Sequence, residues 1–482
     1  MNDTIKTALD LSIEELKKGM QYSFPQTENP NYTDILAAQW FADTFQKCLC
    51  FNTTANAWYW YDGTIWQEDK HKVAEKAAEK FARAFWLYVA DKNDAFKKVA
   101  SKLQQYTNRR HLLDDAKKHN AFPMEHFDSH PVLLNCRCGT FNLESMEWQE
   151  HYYGDYLTKV ANVTEALEEY GPEQYADFQK FILEIQPQER SELLQQLFGL
   201  ALTENTKEEK FFIAFGPTTR NGKSSLLDAV GNMLGTYCAA INPETFSTTA
   251  KRSGSGPSPD RANMRGARLL HVSEFTKGTL LDSAWVKRIT GGDVIRARQM
   301  YGLEFEFQLC GQIIINTNWL PSINDATIFD SGRVVVIPFE VQFPEEKQDL
   351  TLKDRLKSPE MANQVFYWAL DGLKAYRKQG RLRLPESVQK AIAEYRYDSD
   401  KVARFLNECT TPSDKAETAA RLYTAYMEWC DRSGLKYEGK KAFNAELRRK
   451  DLLSNTGTVN GNTCRNVVKG LTLTVERQRL DF

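Results

Sequence analysis

The chain has 482 residues, 42% of them hydrophobic and 26% charged, and a formal net charge of -2. This composition is ordinary for a globular chain long enough for about three domains. It excludes a polycation, so contacts with nucleic acid must come from local basic patches or a lined channel. No apolar run reaches membrane length and the N terminus is acidic and amphipathic, so we expect a cytoplasmic protein with no membrane partner.

The first part of the chain predicts an arm followed by a mixed domain. Residues 1–31 end in a polar, proline-containing stretch that is typical of an arm or linker. Between residues 32 and 200 the pattern alternates, and it predicts helices over 37–45, 72–89 and 95–119 and hairpins over 58–66 and 131–143. This region is therefore expected to be an α+β domain. Its clustered aromatic side chains can stack nucleic-acid bases, but we favour a core role because aromatic pairs commonly pack across hairpins.

The nine cysteines include two Cys-x-Cys pairs, Cys48/Cys50 and Cys136/Cys138. Zinc sites usually use Cys-x-x-Cys spacing, whereas a one-residue spacing puts both thiols on the same face of a strand. We therefore expect reduced, buried thiols rather than a metal centre.

An apolar stretch at 211–215 ends in a polar loop that closes on Gly222-Lys223-Ser224. Such a loop brings backbone N–H groups to a triphosphate, while the lysine reaches its β and γ oxygens and the serine hydroxyl holds Mg²⁺. The pattern predicts ATP and Mg²⁺ as cofactors. Five residues rather than four separate Gly216 from Gly222, so either Pro217 replaces the first glycine or the loop is one residue longer. The predicted nucleotide-binding residues are Gly216, Pro217, Thr218, Thr219, Arg220, Asn221, Gly222, Lys223, Ser224 and Ser225.

Three strand-associated residues complete a predicted catalytic set with Lys223. Glu274 ends an apolar strand, where a carboxylate can polarise the attacking water and help Ser224 hold Mg²⁺. Asn318, with Asn316 as the alternative, follows another apolar strand and is a candidate sensor of the γ-phosphate. Arg333 begins a fourth strand, from which it can reach a neighbouring subunit's γ-phosphate as an arginine finger.

The order of these motifs resembles the superfamily 3 helicases. The chain reads GPTTRNGKS, GARLLHVSE, VKRITGGD, NWLP and finally Arg333 before VVVIPF. More narrowly, it resembles the phage and plasmid branch of the poxvirus-type primase-helicase family, as a helicase part without a primase domain. The resemblance implies a P-loop, AAA+-like core that forms a hexameric ring, hydrolyses ATP between subunits and translocates on single-stranded DNA, usually 3′ to 5′.

The same resemblance implies a channel-lining hairpin between the acidic strand and the sensor strand. Residues 293–307 alternate as a hairpin should. Basic side chains there and just before it can track the DNA backbone, and an aromatic side chain near the tip can stack a base. The predicted DNA-binding residues of this region are Lys287, Arg288, Arg296, Arg298 and Tyr301.

The last part of the chain predicts a helical lid or collar and then a basic module. Helical spacing over 402–409, 416–433 and 440–450, followed by a hairpin at 459–468, is the order of a winged-helix domain. From residue 401 onward there are fifteen Lys and Arg against ten Asp and Glu, which favours duplex DNA, although winged helices also dock proteins. The predicted phosphate-binding residues are Lys440, Lys441, Arg448, Arg449, Lys450 and Arg465.

Together the patterns predict a multi-domain chain of α+β and α/β class, with a P-loop core between an N-terminal α+β domain and a C-terminal winged-helix domain. The expected boundaries are 1–31 for the arm, 32–200 for the α+β domain, 201–345 for the core, 346–398 for the lid and 399–482 for the winged helix.

The leading functional hypothesis is an ATP-dependent DNA helicase of phage or mobile-element replication, acting in the bacterial host cytoplasm. Its expected partners are single-stranded DNA, forked duplex, further copies of the chain and a separate primase or polymerase. No primase activity is expected, because Asp398-Ser-Asp400, the only Asp-x-Asp, lies in a predicted linker. The alternative is an ATP-switched initiator or loader without processive unwinding. A P-loop small-molecule kinase is disfavoured, because the sensor, the finger and the basic tail have no role in it.

Overall fold

The computed structural model describes residues 8–23, 34–90, 94–248, 258–298, 303–325, 327–459 and 461–474. Its helices are α1 Ile13–Ser23, α2 Asp34–Phe45, α3 Val73–Tyr88, α4 Asp94–Leu103, α5 Tyr106–Ala116, α6 Ala176–Ile185, α7 Gln188–Leu200, α8 Lys223–Leu234, α9 Pro259–Asn263, α10 Ser283–Thr290, α11 Thr327–Asp330, α12 Leu352–Leu356, α13 Pro359–Gln379, α14 Glu386–Ser399, α15 Lys401–Cys409, α16 Ala419–Arg432 and α17 Lys440–Arg449.

The strands are β1 Leu49–Asn52, β2 Ala57–Tyr61, β3 Trp66–Glu68, β4 Ala121–Phe122, β5 Leu133–Cys136, β6 Gly139–Asn142, β7 Glu147–Gln149, β8 Phe211–Phe215, β9 Cys238–Ile241, β10 Leu269–Val272, β11 Ile295–Arg298, β12 Glu304–Phe307, β13 Gln312–Thr317, β14 Val334–Pro338, β15 Thr410–Thr418, β16 Leu453–Val459 and β17 Asn462–Leu473. The described residues fall into two compact units. The first comprises Met1–Pro321 and Gly332–Val388, and the second comprises Ser322–Ser331 and Gln389–Phe482.

The N-terminal part of the first unit is a mixed region built on a four-stranded sheet. The strand order is β3-β2-β1-β4, with β4 parallel to β1 and the other pairs antiparallel. Tyr59, Tyr61 and Trp66 are buried in its core, and the Trp66 indole Nε1 donates a hydrogen bond to the Tyr153 carbonyl at 2.7 Å. The core role expected for these aromatic side chains is confirmed.

Two local expectations for this region need correction. The single helix predicted over 95–119 is two helices, α4 and α5. The break is stabilised by Arg109, whose Nη1 donates to the carbonyl oxygens of Leu103 and Gln104 and so satisfies acceptors that the ending helix leaves open. The predicted arm also contains a helix, α1, whose Leu16 and Met20 side chains are buried in the same core as α3. That part of the chain is packed rather than extended.

The two Cys-x-Cys pairs lie on or beside strands. Cys48, Cys50 and Cys136 are buried free thiols, and burial raises the pKa of the Cys48 thiol to about 12. Such thiols stay protonated and pack as small apolar groups. Within the described ranges, no cluster of three or more His, Cys, Asp or Glu side chains could hold a metal ion.

The centre of the first unit is a five-stranded parallel sheet in the order β14-β8-β13-β10-β9. The four strands predicted from apolar runs, β8, β10, β13 and β14, are confirmed. The fifth, β9, has the sequence Cys-Ala-Ala-Ile and a mixed burial pattern, so its short run carried no strand signal. All five strands end at one edge, which gathers the loops that follow them.

The helices around this sheet bring several sequence segments together. The predicted lid contains α13, which packs against α7 and against α8, the helix that follows the predicted phosphate loop. Where α7 crosses α13, Gly199 and Gly372 meet so closely that a Cβ on either would overlap the backbone of the other helix. Only glycine allows this approach.

The second unit contains a three-stranded antiparallel sheet in the order β15-β17-β16. Along the chain its main elements run α15, β15, α16, α17, β16 and β17, around a core that includes Phe405, Tyr426 and Phe443. The helix predicted over 416–433 begins only at Ala419. The preceding residues pair with β17 instead, and the Thr418 hydroxyl caps the helix by accepting from the Arg421 amide at 3.3 Å.

In the part of the chain with described coordinates, no helix combines the length and apolar character needed to cross a membrane.

Candidate nucleotide site

The predicted phosphate loop lies at the carboxyl edge of the parallel sheet, between the end of β8 and the start of α8. Gly222 caps α8 with a φ of +82°, and a Cβ there would overlap the Ile185 side chain. Gly216 is also confined, since a Cβ on it would stand 2.7 Å from the backbone carbonyl oxygen of Phe339 and closer still to Asn221 Nδ2. Both glycines are therefore required by the local geometry, and they leave a cradle of backbone at a helix N terminus, where anions bind.

Lys223 is the centre of this cradle. Its side chain is buried, and Nζ donates to three oxygens: Gly216 O at 3.2 Å, Asn221 Oδ1 at 3.0 Å and Asn318 Oδ1 at 3.0 Å. Burial lowers the pKa of Lys223 to about 8, while the carboxylate of Glu274 acts in the opposite direction. The Lys223 ammonium is held by neutral oxygens, so its positive charge is not fully compensated. It is therefore suited to bind a phosphate group.

Both asparagines of the third strand reach the loop. Asn318 contacts Lys223, and Asn316 donates from Nδ2 to the Ser224 hydroxyl at 3.1 Å. Thr317, between them, instead holds the backbone of Trp319, with 2.7 Å between its Oγ1 and the Trp319 carbonyl. The two asparagines at the end of β13 therefore contact both the predicted phosphate-binding lysine and the predicted Mg²⁺-binding serine.

The remaining loop residues surround this centre. Asn221 is buried, and its Nδ2 donates to the Thr218 carbonyl at 2.6 Å. Pro217, Thr219 and Arg220 are exposed, as is Ser224, and Ser225 is half-buried. Arg220 adopts a φ of +61°, a conformation that a non-glycine residue seldom takes outside a constrained loop.

Glu274 lies two residues beyond β10, which is the neighbour of β13 in the sheet. Its side chain is exposed. Its negative charge raises the pKa of Lys223 and so partly opposes the effect of burial. A serine hydroxyl, a nearby carboxylate and a buried lysine over a backbone cradle are a donor set that fits a magnesium-bound nucleotide.

Arg333 lies at the opposite edge of the sheet. It precedes Val334, which pairs with Phe211 at the start of β8. The loop follows the other end of that strand, roughly 17 Å away at about 3.3 Å per residue. Arg333 Nη2 is 2.7 Å from Glu209 Oε2, and its Nη1 donates to the Thr290 hydroxyl at 2.7 Å. The arginine therefore does not reach the phosphate loop of its own chain.

The hairpin predicted over 293–307 is confirmed as β11 and β12. Arg296 stands opposite Glu306, with 2.6 Å between Nε and Oε1, and Arg298 stands opposite Glu304. Tyr301, at the predicted tip, lies outside the described residues. The basic charge of the hairpin's arms is thus partly balanced by carboxylates on the facing strand.

Lys287 and Arg288 lie on α10, just before the hairpin. The Arg288 guanidinium stacks over the Trp285 ring, 5.6 Å from its centroid, and lies 3.6 Å from Asp293 Oδ2.

The six predicted phosphate-binding residues of the second unit divide into two groups. Lys440, Lys441, Arg448 and Arg465 are exposed on α17 and β17. The other two are held by carboxylates: Arg449 is 3.1 Å from Asp330 Oδ2, and Lys450 is 2.6 Å from Asp400 Oδ2. The six predicted phosphate-binding residues are therefore not equally available to a phosphate, because Arg449 and Lys450 already have anionic partners.

Sequence reasoning missed the residues that support these groups. Ile185 packs beside Gly222, and Glu209 and Thr290 hold Arg333. Ile185 and Glu209 lie outside the recognised motifs, and Thr290 lies within VKRITGGD but was given no role there. The three-dimensional contacts connect all three residues to these groups.

Family comparisons match both sides of the P-loop core. Residues 38–187 match the model described as D5 N terminal like, and residues 397–455 match the model described as Poxvirus D5 protein-like. The resemblance to the poxvirus-type family, first drawn from the order of the ATPase motifs, is confirmed by these two further regions.

Curated relatives are distant viral proteins. The chain is 23% identical over 455 residues to "Putative helicase L207/L206" of Acanthamoeba polyphaga mimivirus, covering 90% of this chain and 45% of that protein. It is 23% identical over 336 residues to "Putative helicase 121R" of Invertebrate iridescent virus 3, covering 63% and 35%. It is 21% identical over 362 residues to "Putative primase C962R" of an African swine fever virus isolate, covering 70% and 36%. The chain spans less than half the length of these relatives.

A solved structure has the same fold over most of the chain. The apo structure of the NrS-1 C terminal region (305-718) superposes with a TM-score of 0.53 at 12% identity, covering 90% of this chain and 99% of that one.

Proposed function

We propose, from the D5-like regions that flank its P-loop core, that this chain is an ATP-dependent DNA helicase of phage or mobile-element replication. The observation that carries the proposal is the contact between Lys223 and Asn318, which joins the phosphate loop to the end of the third strand. That arrangement allows a γ-phosphate at the lysine to alter the position of the strand-end asparagine. A nucleotide-binding site of this kind reports hydrolysis to the rest of the domain.

Magnesium-bound ATP supplies the phosphoryl group whose transfer to water releases the free energy for movement. In the proposed mechanism Lys223 exchanges its three neutral oxygens for phosphate oxygens. Ser224, oriented by Asn316, offers its hydroxyl to the metal. Glu274 accepts a proton from the attacking water, and Asn318 senses whether the γ-phosphate is present.

Arg333 completes the site in trans. Since it lies at the far edge of its own sheet, it can serve only a neighbouring copy, which supports a ring in which each interface contains one nucleotide. Heterologous contacts between identical subunits close into such rings, here a hexamer by family resemblance. Its charge would offset the negative charge that develops on the transferred phosphoryl group.

DNA contacts are assigned to two places. The β11–β12 hairpin, with Arg296, Arg298 and Tyr301, and Lys287 and Arg288 before it, would grip single-stranded DNA in the ring's channel, with 3′ to 5′ movement.

The second unit would act as a winged helix. Its helix–strand–helix–helix–strand–strand order supports this assignment, with α17 as the recognition helix and the β16–β17 hairpin as the wing. Lys440, Lys441, Arg448 and Arg465 would then meet duplex phosphates.

The same exposed basic face also favours a second candidate, an ATP-switched initiator or loader that binds duplex and does not unwind processively. Strand displacement on a forked substrate separates the two. The helicase proposal requires ATP-dependent unwinding that is lost in Lys223→Ala. An initiator would bind duplex and hydrolyse ATP without displacing the strand.

A further inference from the structure

Arg333, the proposed finger, is held in place by residues from two other segments of its own chain. Its guanidinium is held on two sides, by the Glu209 carboxylate at 2.7 Å from Nη2 and by the Thr290 hydroxyl at 2.7 Å from Nη1. The Glu209 carbonyl lies 3.5 Å from the same Nη1. Because Glu209 and Thr290 belong to different segments, together they hold the long Arg333 side chain in one orientation. An arginine on an open surface, without such partners, would sample many orientations.

The backbone at Glu209 is itself constrained. It adopts a φ of +52°, in a turn where its amide donates to the Thr206 carbonyl at 2.9 Å. A glutamate in the left-handed region is uncommon, and residues persist there when the surrounding structure over-determines them. The turn directs the carboxylate of Glu209 to Arg333, at the start of the neighbouring strand.

Thr290 connects this arrangement to another element. It is the last residue of α10, is buried, and also donates to the Val286 carbonyl within the helix at 2.8 Å. The chain then passes through Gly291 and Gly292 into the β11–β12 hairpin. The hydroxyl that holds Arg333 therefore belongs to the helix that leads into the proposed DNA-gripping hairpin.

We infer that Glu209 and Thr290 are positioning residues for Arg333: they fix the direction in which the finger is presented to the neighbouring subunit, and Thr290 couples that finger to the hairpin of its own chain. The inference rests on the proposed trans role of Arg333. It predicts that the two residues affect hydrolysis at the adjacent subunit's nucleotide, although neither contacts the phosphate loop of its own chain.

The first test measures ATP hydrolysis by the full chain with single-stranded DNA. Glu209→Ala and Thr290→Val should each lower kcat by about tenfold, a fraction of what an arginine finger supplies, with KM for ATP changed less than about twofold because transition-state contacts act on kcat. Thr290→Ser, which keeps the hydroxyl, should restore the rate. In Thr290→Val the stimulation of hydrolysis by DNA should also fall. Glu169→Ala, an exposed carboxylate elsewhere on the surface, is the matched control and should behave as the parent chain.

The second test distinguishes action in trans from a local structural role. Mixing Glu209→Ala with Lys223→Ala pairs an intact phosphate loop with an intact finger at about a quarter of the interfaces of a randomly assembled ring. The ATPase rate of the mixture should therefore exceed the average of the rates that the Glu209→Ala and Lys223→Ala proteins show separately. The reference mixture is Arg333→Ala with Lys223→Ala.

These experiments distinguish a failure of the positioning role of Glu209 and Thr290 from a failure of the proposed trans role of Arg333. If the Arg333→Ala mixture regains activity and the Glu209→Ala mixture does not, Glu209 has no positioning role. Wild-type kcat in both Glu209→Ala and Thr290→Val would also overturn the inference. If the Arg333→Ala mixture itself stays inactive, the trans finger is wrong and the inference falls with it. Thermal melting of each variant checks folding, and the Thr290→Val and Thr290→Ser pair decides the matter if Glu209→Ala unfolds.

Discussion

The depressed pKa of Lys223 predicts that nucleotide affinity depends on pH in a window where an ordinary lysine does not titrate. Burial brings this pKa to about 8, from a usual value of 10.5. The protonated fraction of the free site then falls from about nine-tenths at pH 7 to about one-tenth at pH 9, a tenfold change. Because phosphate binds the ammonium and not the neutral amine, the Kd for ATP should rise by about tenfold between these pH values.

The assay is a titration with a fluorescent ATP analogue at fixed ionic strength and Mg²⁺, repeated at half-unit steps from pH 6.5 to 9.5. Lys223→Arg is the control, since a guanidinium stays charged throughout this range. That variant binds less well, but its affinity should be flat above pH 7, which removes any contribution from titration of the nucleotide. A flat profile for the parent chain, or an equal slope in Lys223→Arg, would refute the assignment of Lys223 as the buried phosphate-binding cation.

Three further predictions concern separate parts of the chain. Asn318→Ala should lower kcat for ATP by about 10²-fold with little change in KM, as expected for a group that acts on the reacting phosphate; an unchanged kcat in a steady-state assay would contradict its role. Gly222→Ala should abolish binding of the fluorescent nucleotide and lower the melting temperature, since its φ of +82° and the Ile185 side chain exclude a Cβ; normal binding would contradict the loop geometry. The pair Lys440→Ala and Lys441→Ala should reduce the salt slope of duplex binding by about two. Arg449→Ala, whose side chain is already held by Asp330, should change that slope less, and an equal effect in fluorescence anisotropy would contradict the division of the two basic groups.

The elements that could be predicted are those whose local sequence pattern matches their burial in the folded chain. The strands β8, β10, β13 and β14 are apolar because both faces of the sheet are covered, and such runs are visible in sequence. The loop between β8 and α8 could be predicted for a similar reason, since Gly216, Gly222 and Lys223 lie within eight consecutive residues.

Other features depend on contacts that no local window contains. Strand β15 includes Pro412 and Asp414, a weak strand sequence, and it forms because β17 offers a partner. The break between α4 and α5 depends on Arg109 reaching back to carbonyls of the preceding helix.

The site shows the same division. Lys223 and Asn318 are predictable from motifs, and their contact follows from the adjacency of β8 and β13. The pairing of Arg333 with Glu209 and Thr290 joins segments separated by more than a hundred and by about forty residues, respectively. Only the folded arrangement brings those three groups together.

We propose that this chain converts ATP hydrolysis into movement along DNA. Strand displacement should be measured on a forked duplex with a 3′ tail, in ATP and Mg²⁺, beside a 5′-tailed fork and the Lys223→Ala and Arg333→Ala variants. A translocating helicase of this kind should unwind only the fork with the 3′ tail, and both variants should lose unwinding while they remain folded. ATP hydrolysis stimulated by DNA with no strand displaced on either fork would contradict the proposal.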